Sequence, residues 1–499
     1  MKNRVNLLVG LTSSLWIALL GFLVVPIYLK YLGVEAYGLI GFFAILQAAL
    51  SVLDMGMAAT INREVARGAI TGGFKEAGKL LHTLAVIYWS LSFMMALIIV
   101  ICSSFIEKYW LQSTHLSDGI VTNVVMLMGL VIACRWPIGL YQGALIGANR
   151  MRVSSGISAV MGTLGSFGAI VVLVYVSASV EAFFIWQALV GLFSVTVMRK
   201  AAWNVVGRAD QMKFEVAKLK SVWGFSAGVA GVTVSAIIFT QLDKWILSKT
   251  LGLEGFAHYM LATSLVGVLY LLIMPIYNII YPKFSAFVAV GDLEGLIRSY
   301  RSGTRLFAVV FFPLVMALVF VAEDIVVLWI NDPLIAVSIA PVVRLLAIGV
   351  GFHGVMFFPY ALQLAHGNTR LPLTINIILM IILIPTTIFL SLKYGALGGG
   401  GAWLVLHAIY ILLGTWLTHR KLLKGIGLKW FFYDVATPFC LSVCVGLIGF
   451  YFMQGRDYTP EINLLCGVVL AIVACCLSLM ILTDEDQKSI ADQISWKDS

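Results

Sequence analysis

A few ionisable side chains lie where such groups are costly. Asp54, Arg135, Asp243, Lys244 and Arg344, with the titratable His258 and His353, fall inside long apolar runs. Near a bilayer centre a charged side chain costs roughly 2.5–3.5 kcal/mol on insertion scales, so these positions require a cavity or a partner and not lipid. Two chemistries follow from the residue types. Arginine and lysine can hold an anion, arginine through a planar fork suited to carboxylate or phosphate oxygens. Aspartate and histidine can take up and release a proton or ion.

Each candidate carries a competing structural account. Arg135 precedes Trp136 and Pro137, and a proline that removes a backbone donor can bend a helix around a cavity; the alternative is an ion pair with a carboxylate. Arg344 is placed about one third of the way in from the outer face. Lys244 lies nearer the outer edge and can snorkel. Asp243, its neighbour in sequence, is expected on a different helix face and therefore not as its partner. Asp54, in "LDMGMAATINREVAR", is a proton-site candidate or a member of an ion-pair cluster with Arg63, Glu64 and Arg67. His353 is a candidate for either role, against the reading of a hydrogen-bonded membrane histidine. Arg135, Arg344, His353 and Lys244 are thus the substrate-binding candidates, and Asp54, Asp243 and His353 the proton or ion coupling candidates.

Soluble-enzyme motifs fail. "GGFKEAGKL" at Gly72–Leu80 has Leu80 where a P-loop needs a hydroxyl, and there is no HExxH, no nucleophile elbow and no carboxylate pair on an outer loop. The seven cysteines follow no metal-binding spacing. No catalytic residue, metal or cofactor is expected.

The elements that must position these residues are membrane helices. The chain has 499 residues, 61% hydrophobic and 11% charged, outside the range of soluble domains. Runs long enough to cross a hydrocarbon core give fourteen spans: 7–30, 37–60, 81–106, 121–147, 154–177, 181–198, 222–248, 256–281, 304–329, 335–365, 371–392, 397–418, 432–453 and 462–482. With both termini cytoplasmic, roughly 25 of the 33 Lys and Arg residues fall on the cytoplasmic side, as the positive-inside rule requires. The net charge of +9 is then topological, and no nucleic-acid partner is implied.

The phrase "LGVEAY" at Leu32–Tyr37 returns as "LGLEGF" at Leu251–Phe256. The same offset aligns Trp110 with Trp329, Asn149 with Asn368, and His353 with Cys134, one position from Arg135. Six spans per repeat give two bundles related by an axis along the membrane normal. The expected fold is an all-α integral membrane protein: an N-terminal six-helix bundle (1–200), a basic cytoplasmic linker (201–221), a C-terminal six-helix bundle (222–420), and two further helices with a cytoplasmic tail (421–499). Trp203, Phe214 and Leu219 around the linker suggest an amphipathic segment at the membrane surface, against a simple basic tether. "GALIG" at Gly143–Gly147 and "GFSAG" at Gly224–Gly228 are small-residue ridges for close helix packing, and Gly398–Gly401 are expected to allow a bend or close approach.

"YLGVEAYGLIGFF", "LDMGMAATINREVARG", "QLDKWILSKTLGLEGFAHYMLA" and "MPIYNIIYPKFS" resemble the polysaccharide transporters, more specifically the O-antigen and exopolysaccharide flippases of the multidrug, oligosaccharidyl-lipid and polysaccharide (MOP) superfamily. The resemblance covers about residues 1 to 420. It implies a V-shaped pair of bundles, in the bacterial inner membrane, moving an undecaprenyl (polyprenyl) diphosphate-linked oligosaccharide of lipopolysaccharide or exopolysaccharide synthesis to the periplasmic leaflet. It implies membrane lipid and other polysaccharide assembly proteins as further partners. It also implies a cationic cavity, to which Arg135, Arg344 and Lys244 correspond by depth, and landmark acids at Asp54 and Asp243. The first span has no charge before Lys30, a departure from lipid II flippases. Two alternatives stay open: a multidrug and toxin extrusion (MATE) type antiporter of the same fold, and a membrane glycosyltransferase or polymerase.

Overall fold

No water reaches a backbone buried in hydrocarbon, so apolar runs of this length close their hydrogen bonds internally as helices. The computed structural model describes residues 2–71, 73–117, 119–207, 213–215, 234, 237–453 and 458–480, which are helical with short connections and contain no β-strand. Among them, twelve helices are long and apolar enough to cross a membrane; the chain is a multi-pass membrane protein. One of the twelve, Arg370–Lys421, joins the eleventh and twelfth expected spans through the non-helical Gly395 (φ 61°). The seventh span lies largely outside the described residues, as do "GFSAG" and Leu219.

Contacts divide the chain into two units, Met1–Ala257 and His258–Ser499. The first begins with α1 (Lys2–Leu23), α2 (Val25–Leu32) and α3 (Val34–Leu50). The second span does not run straight through to residue 60. A single 3-10 turn over Ser51–Asp54 is followed by Met55 (φ 46°) and Gly56 (φ 73°) in left-handed conformation, and α4 (Met57–Thr71) starts in a new direction. Asp54 accepts the backbone N–H of Ala58 at 3.3 Å, satisfying one of the orphan donors of the restarted helix. The unit continues with α5 (Lys75–Tyr109), α6 (Ile120–Arg135), α7 (Ile138–Gly147), α8 (Met151–Tyr175) and α9 (Val180–Val206). The α6–α7 break falls at Trp136–Pro137, where the proline expectation put it.

The small-residue ridge "GALIG" packs as expected. A methyl group at Gly143 would meet Ala58 O at 2.5 Å, and one at Gly147 would strike Asn62 O, so α7 lies backbone to backbone on α4. Trp203 is buried in the core that α4, α5, α7 and α9 share with Ile61, Leu81, Tyr88 and Tyr141. It therefore closes α9 and is not a membrane-surface aromatic of the linker, whereas Phe214 is exposed.

Helix α10 (237–250) and the start of α11 (Leu253–Gly267) pack on the first unit. Leu253 N–H donates to Gln112 O at 2.9 Å, Trp110 Nε1 donates to Ser248 Oγ at 3.1 Å, and Gly38 admits the Leu253 carbonyl. The contact boundary thus falls at 257/258, some 35 residues beyond the boundary that repeat symmetry suggested.

The second unit contains α12 (Tyr270–Val290), α13 (Leu293–Phe320), α14 (Ala322–Ile330), α15 (Pro333–Ala365) and α16 (Arg370–Lys421). After the bend at Gly395, Gly398 sits against the Leu390 carbonyl, where no side chain fits; this is how the glycine run lets α16 fold back. The three-residue α17 (Gly427–Lys429) leads through a π-helical stretch, Trp430–Ala436, into α18 (Thr437–Met453), which is followed by α19 (Pro460–Met480). Gly446 and Gly467 bring α18 and α19 against Phe320 and Val321 at the end of α13.

Candidate functional site

Arg135 ends α6 at the break made by Trp136 and Pro137. Its guanidinium Nη2 donates to Gln187 Oε1 on α9, and Gln187 Nε2 in turn donates to Gly165 O on α8 at 3.2 Å. The guanidinium carbon lies 5.9 Å from the ring centre of Phe43, within cation–π range. Tyr28 stands nearby, its hydroxyl donating to Ser166 O at 3.0 Å. No carboxylate among the described residues pairs with Arg135. An amide oxygen and a ring face orient a cation without cancelling its charge, so this half-buried guanidinium keeps a full positive charge and spare N–H groups.

Asp54 is linked through one aromatic pair to Trp136, the residue next to Arg135 in sequence. Asp54 accepts the Tyr88 hydroxyl, and the Tyr88 ring lies 4.4 Å from that of Trp136. The ion-pair cluster considered for Asp54 forms without it: Glu64 takes Arg67 at 3.2 Å and Arg63 at 3.7 Å. Lys244 and Asp243 correct an expectation. Lys244 Nζ lies 3.3 Å from Asp243 Oδ1 and donates to Thr240 O at 2.9 Å. Adjacency on a helix separates the Cα–Cβ directions, but a four-carbon stem reaches back across that angle when Asp243 is buried and no water competes.

In the second unit the candidates separate. Arg344 Nε donates to Val319 O at 3.2 Å, in the last turn of α13, where carbonyls lack helical partners and a cation meets the negative end of the helix dipole. His353, nine residues further along α15, belongs to another group: Tyr270 Oη is 2.7 Å from His353 Nδ1, and the His407 ring lies 4.6 Å from that of His353. His407 Nδ1 is 2.9 Å from Trp403 O; a carbonyl can only accept, so this nitrogen carries the proton. His258 lies half-buried in α11.

Several participants escaped the sequence reading. Gln187 does not ionise and so is not among the sequence candidates, although an amide in "FFIWQALV" is equally out of place among apolar neighbours. His407 and Asp434 also lie in apolar spans and qualify by the same test that found His353. Asp434 is fully buried and takes Arg301 Nε at 2.8 Å and Arg305 Nε at 2.9 Å.

The family described as polysaccharide biosynthesis protein matches residues 29–334, more than half of the chain. Among solved structures, the chain is similar to the lipid II flippase MurJ in an inward closed conformation, at 15% identity and a TM-score of 0.68, over 94% of this chain and 98% of that one. It is similar to an inward-facing multidrug resistance MATE family transporter of the MOP superfamily, at 14% identity and a TM-score of 0.63, over 81% and 95% of the two chains. A MOP superfamily transporter from Pyrococcus furiosus, described as having a binding pocket of reversed polarity, matches at 14% identity and a TM-score of 0.54, over 84% and 95%. No curated protein matches the sequence. At these identities the structural likeness establishes the fold.

Proposed function

The chain belongs to the polysaccharide biosynthesis protein family, and from that premise we propose that it is a flippase for a polyprenyl-diphosphate-linked oligosaccharide. It carries an O-antigen or exopolysaccharide repeat unit from the cytoplasmic to the periplasmic leaflet of a bacterial inner membrane by alternating access, with both termini in the cytoplasm. The MOP transporter fold supports the class of activity.

Arg135 carries the choice of an anionic cargo. A cation held by Gln187 and Phe43, with no carboxylate partner among the described residues, attracts a diphosphate oxygen and repels a cationic drug. Arg344 is a second anion contact, with one N–H on Val319 and the rest of its fork unspent among the described residues. Lys244 ranks below both because Asp243 already balances its charge. Of the coupling candidates, His353 has the arrangement best suited to passing a proton, between the Tyr270 hydroxyl and the His407 ring. Asp54 and Asp243 are engaged by Tyr88 and Lys244.

Reconstitution in vesicles with a fluorescent polyprenyl-diphosphate sugar tests this reading. Flipping by the wild-type protein should fall about tenfold or more in Arg135→Ala, the scale of one hydrogen bond to a charged group, with Arg135→Lys between the two. Unaltered flipping in Arg135→Ala, or transport of cationic drugs in place of the lipid-linked sugar, would put the antiporter reading first.

A further inference from the structure

The second unit has a groove that the flippase reading does not use. It runs from the cytoplasmic-side end of α16 to the segment leading into α18, has a volume of about 600 Å³, and is walled by Ile411, Leu412 and Trp416 on one side and Leu428, Phe431 and Phe432 on the other. Its charged lining residues are Arg420 and Lys424, which follow Trp416 where the chain leaves α16. Leu412, Trp416, Leu428 and Phe432 are all more than half exposed, as side chains facing acyl chains are.

Charge decides what fills it. Arg420, Lys421, Lys424 and Lys429 fall within ten residues, and no Asp or Glu occurs between Asp332 and Asp434. Asp434 is occupied by Arg301 and Arg305. None of the four cations forms an ion pair among the described residues. The Arg420 guanidinium lies 5.3 Å from the Trp416 ring, a stack that holds it at the groove mouth with its N–H edges available. Two cations unpaired among the described residues, beside an apolar slot, match the chemistry of an anionic lipid and offer little to a zwitterionic one.

We propose that this groove is a binding site for an anionic phospholipid of the cytoplasmic leaflet, its phosphate on Arg420 and Lys424 and an acyl chain between Trp416 and Phe432. The bound lipid joins the last helix of the repeat to the appended pair. The groove's inner wall is His419, whose Nε2 lies 3.0 Å from Tyr300 Oη, and Trp430 beside it donates to Thr304 Oγ1 at 3.0 Å. A lipid wedged there braces α16, α13 and the π-helical stretch together.

The test uses the full-length protein in nanodiscs of phosphatidylethanolamine with or without phosphatidylglycerol. Native mass spectrometry should show phosphatidylglycerol retained over phosphatidylethanolamine, and phosphatidylglycerol should raise the thermal midpoint. Arg420→Gln with Lys424→Gln should lower that retention about tenfold or more and remove the thermal shift. Lys421→Gln with Lys429→Gln, an equal loss of charge outside the groove, should leave both intact. Equal loss in both pairs would reduce the effect to diffuse surface attraction and overturn the site. Displacement of phosphatidylglycerol by polyprenyl phosphate at stoichiometric amounts would overturn it in favour of the carrier lipid.

Discussion

Gln187 decides what Arg135 can do. The amide orients the guanidinium without neutralising it, whereas a carboxylate there would cancel its charge and compete with an anionic cargo for its N–H groups. Gln187→Glu is therefore expected to lower flipping about tenfold or more, and also to lower the thermal midpoint, because a carboxylate cannot donate to Gly165 O as the amide does. Equal flipping in that variant would make Arg135 a structural residue. His353 permits a complementary experiment. Glutamine keeps a polar contact for Tyr270 but cannot titrate, so His353→Gln should retain basal flipping and lose its response to an imposed pH gradient. If the response survives, proton coupling lies elsewhere.

Helix interruptions place these groups. The Asp54–Gly56 break ends α3 early and lets Asp54 cap α4 while taking the Tyr88 hydroxyl, and the Trp136–Pro137 break leaves Arg135 at a helix end. The helices that follow the two breaks, α4 and α7, lie backbone to backbone. Gly147→Val would drive a branched side chain into the Asn62 carbonyl and should destabilise the protein by about 1–3 kcal/mol, the usual cost of overpacking, read as a lower thermal midpoint in detergent. An unchanged midpoint would mean that the α4–α7 contact is dispensable. The repeated phrase shows how one local sequence serves two ends. Glu35 is buried and accepts Thr114 N–H at 2.8 Å, His115 N–H at 3.0 Å and Leu116 N–H at 3.2 Å, fixing the loop after α5; its counterpart Glu254 is exposed.

Across the second unit, the appended helices are fastened by chemistry as well as by apolar packing. Asp434 accepts hydrogen bonds from two arginines of α13 in a site without solvent access. Removing one partner of a buried ion pair costs about 3–5 kcal/mol, so Asp434→Asn should sharply lower the thermal midpoint and open 430–453 to protease. Resistance equal to wild type would show that α18 and α19 are held by packing alone. Flipping by folded Asp434→Asn protein would show whether the appended pair contributes to transport or only to stability.

Much of this was legible in the chain because the membrane imposes one solution on it. Apolar length dictates helices, Pro137 marks a break, and the glycines of "GALIG" announce close packing, each a local property governed by backbone hydrogen bonding in hydrocarbon. Partners were not legible. Arg135 meets Gln187 from 52 residues away, and His353 meets Tyr270 from 83 away. Nothing local separates a guanidinium bound for an amide from one bound for a carboxylate. Even Lys244 and Asp243, adjacent in sequence, pair only because Asp243 is buried by its surroundings. Helix identity follows from each segment's own solvent, whereas the charge state and company of a buried side chain follow from which helices are brought together, and that is settled by packing across the whole unit.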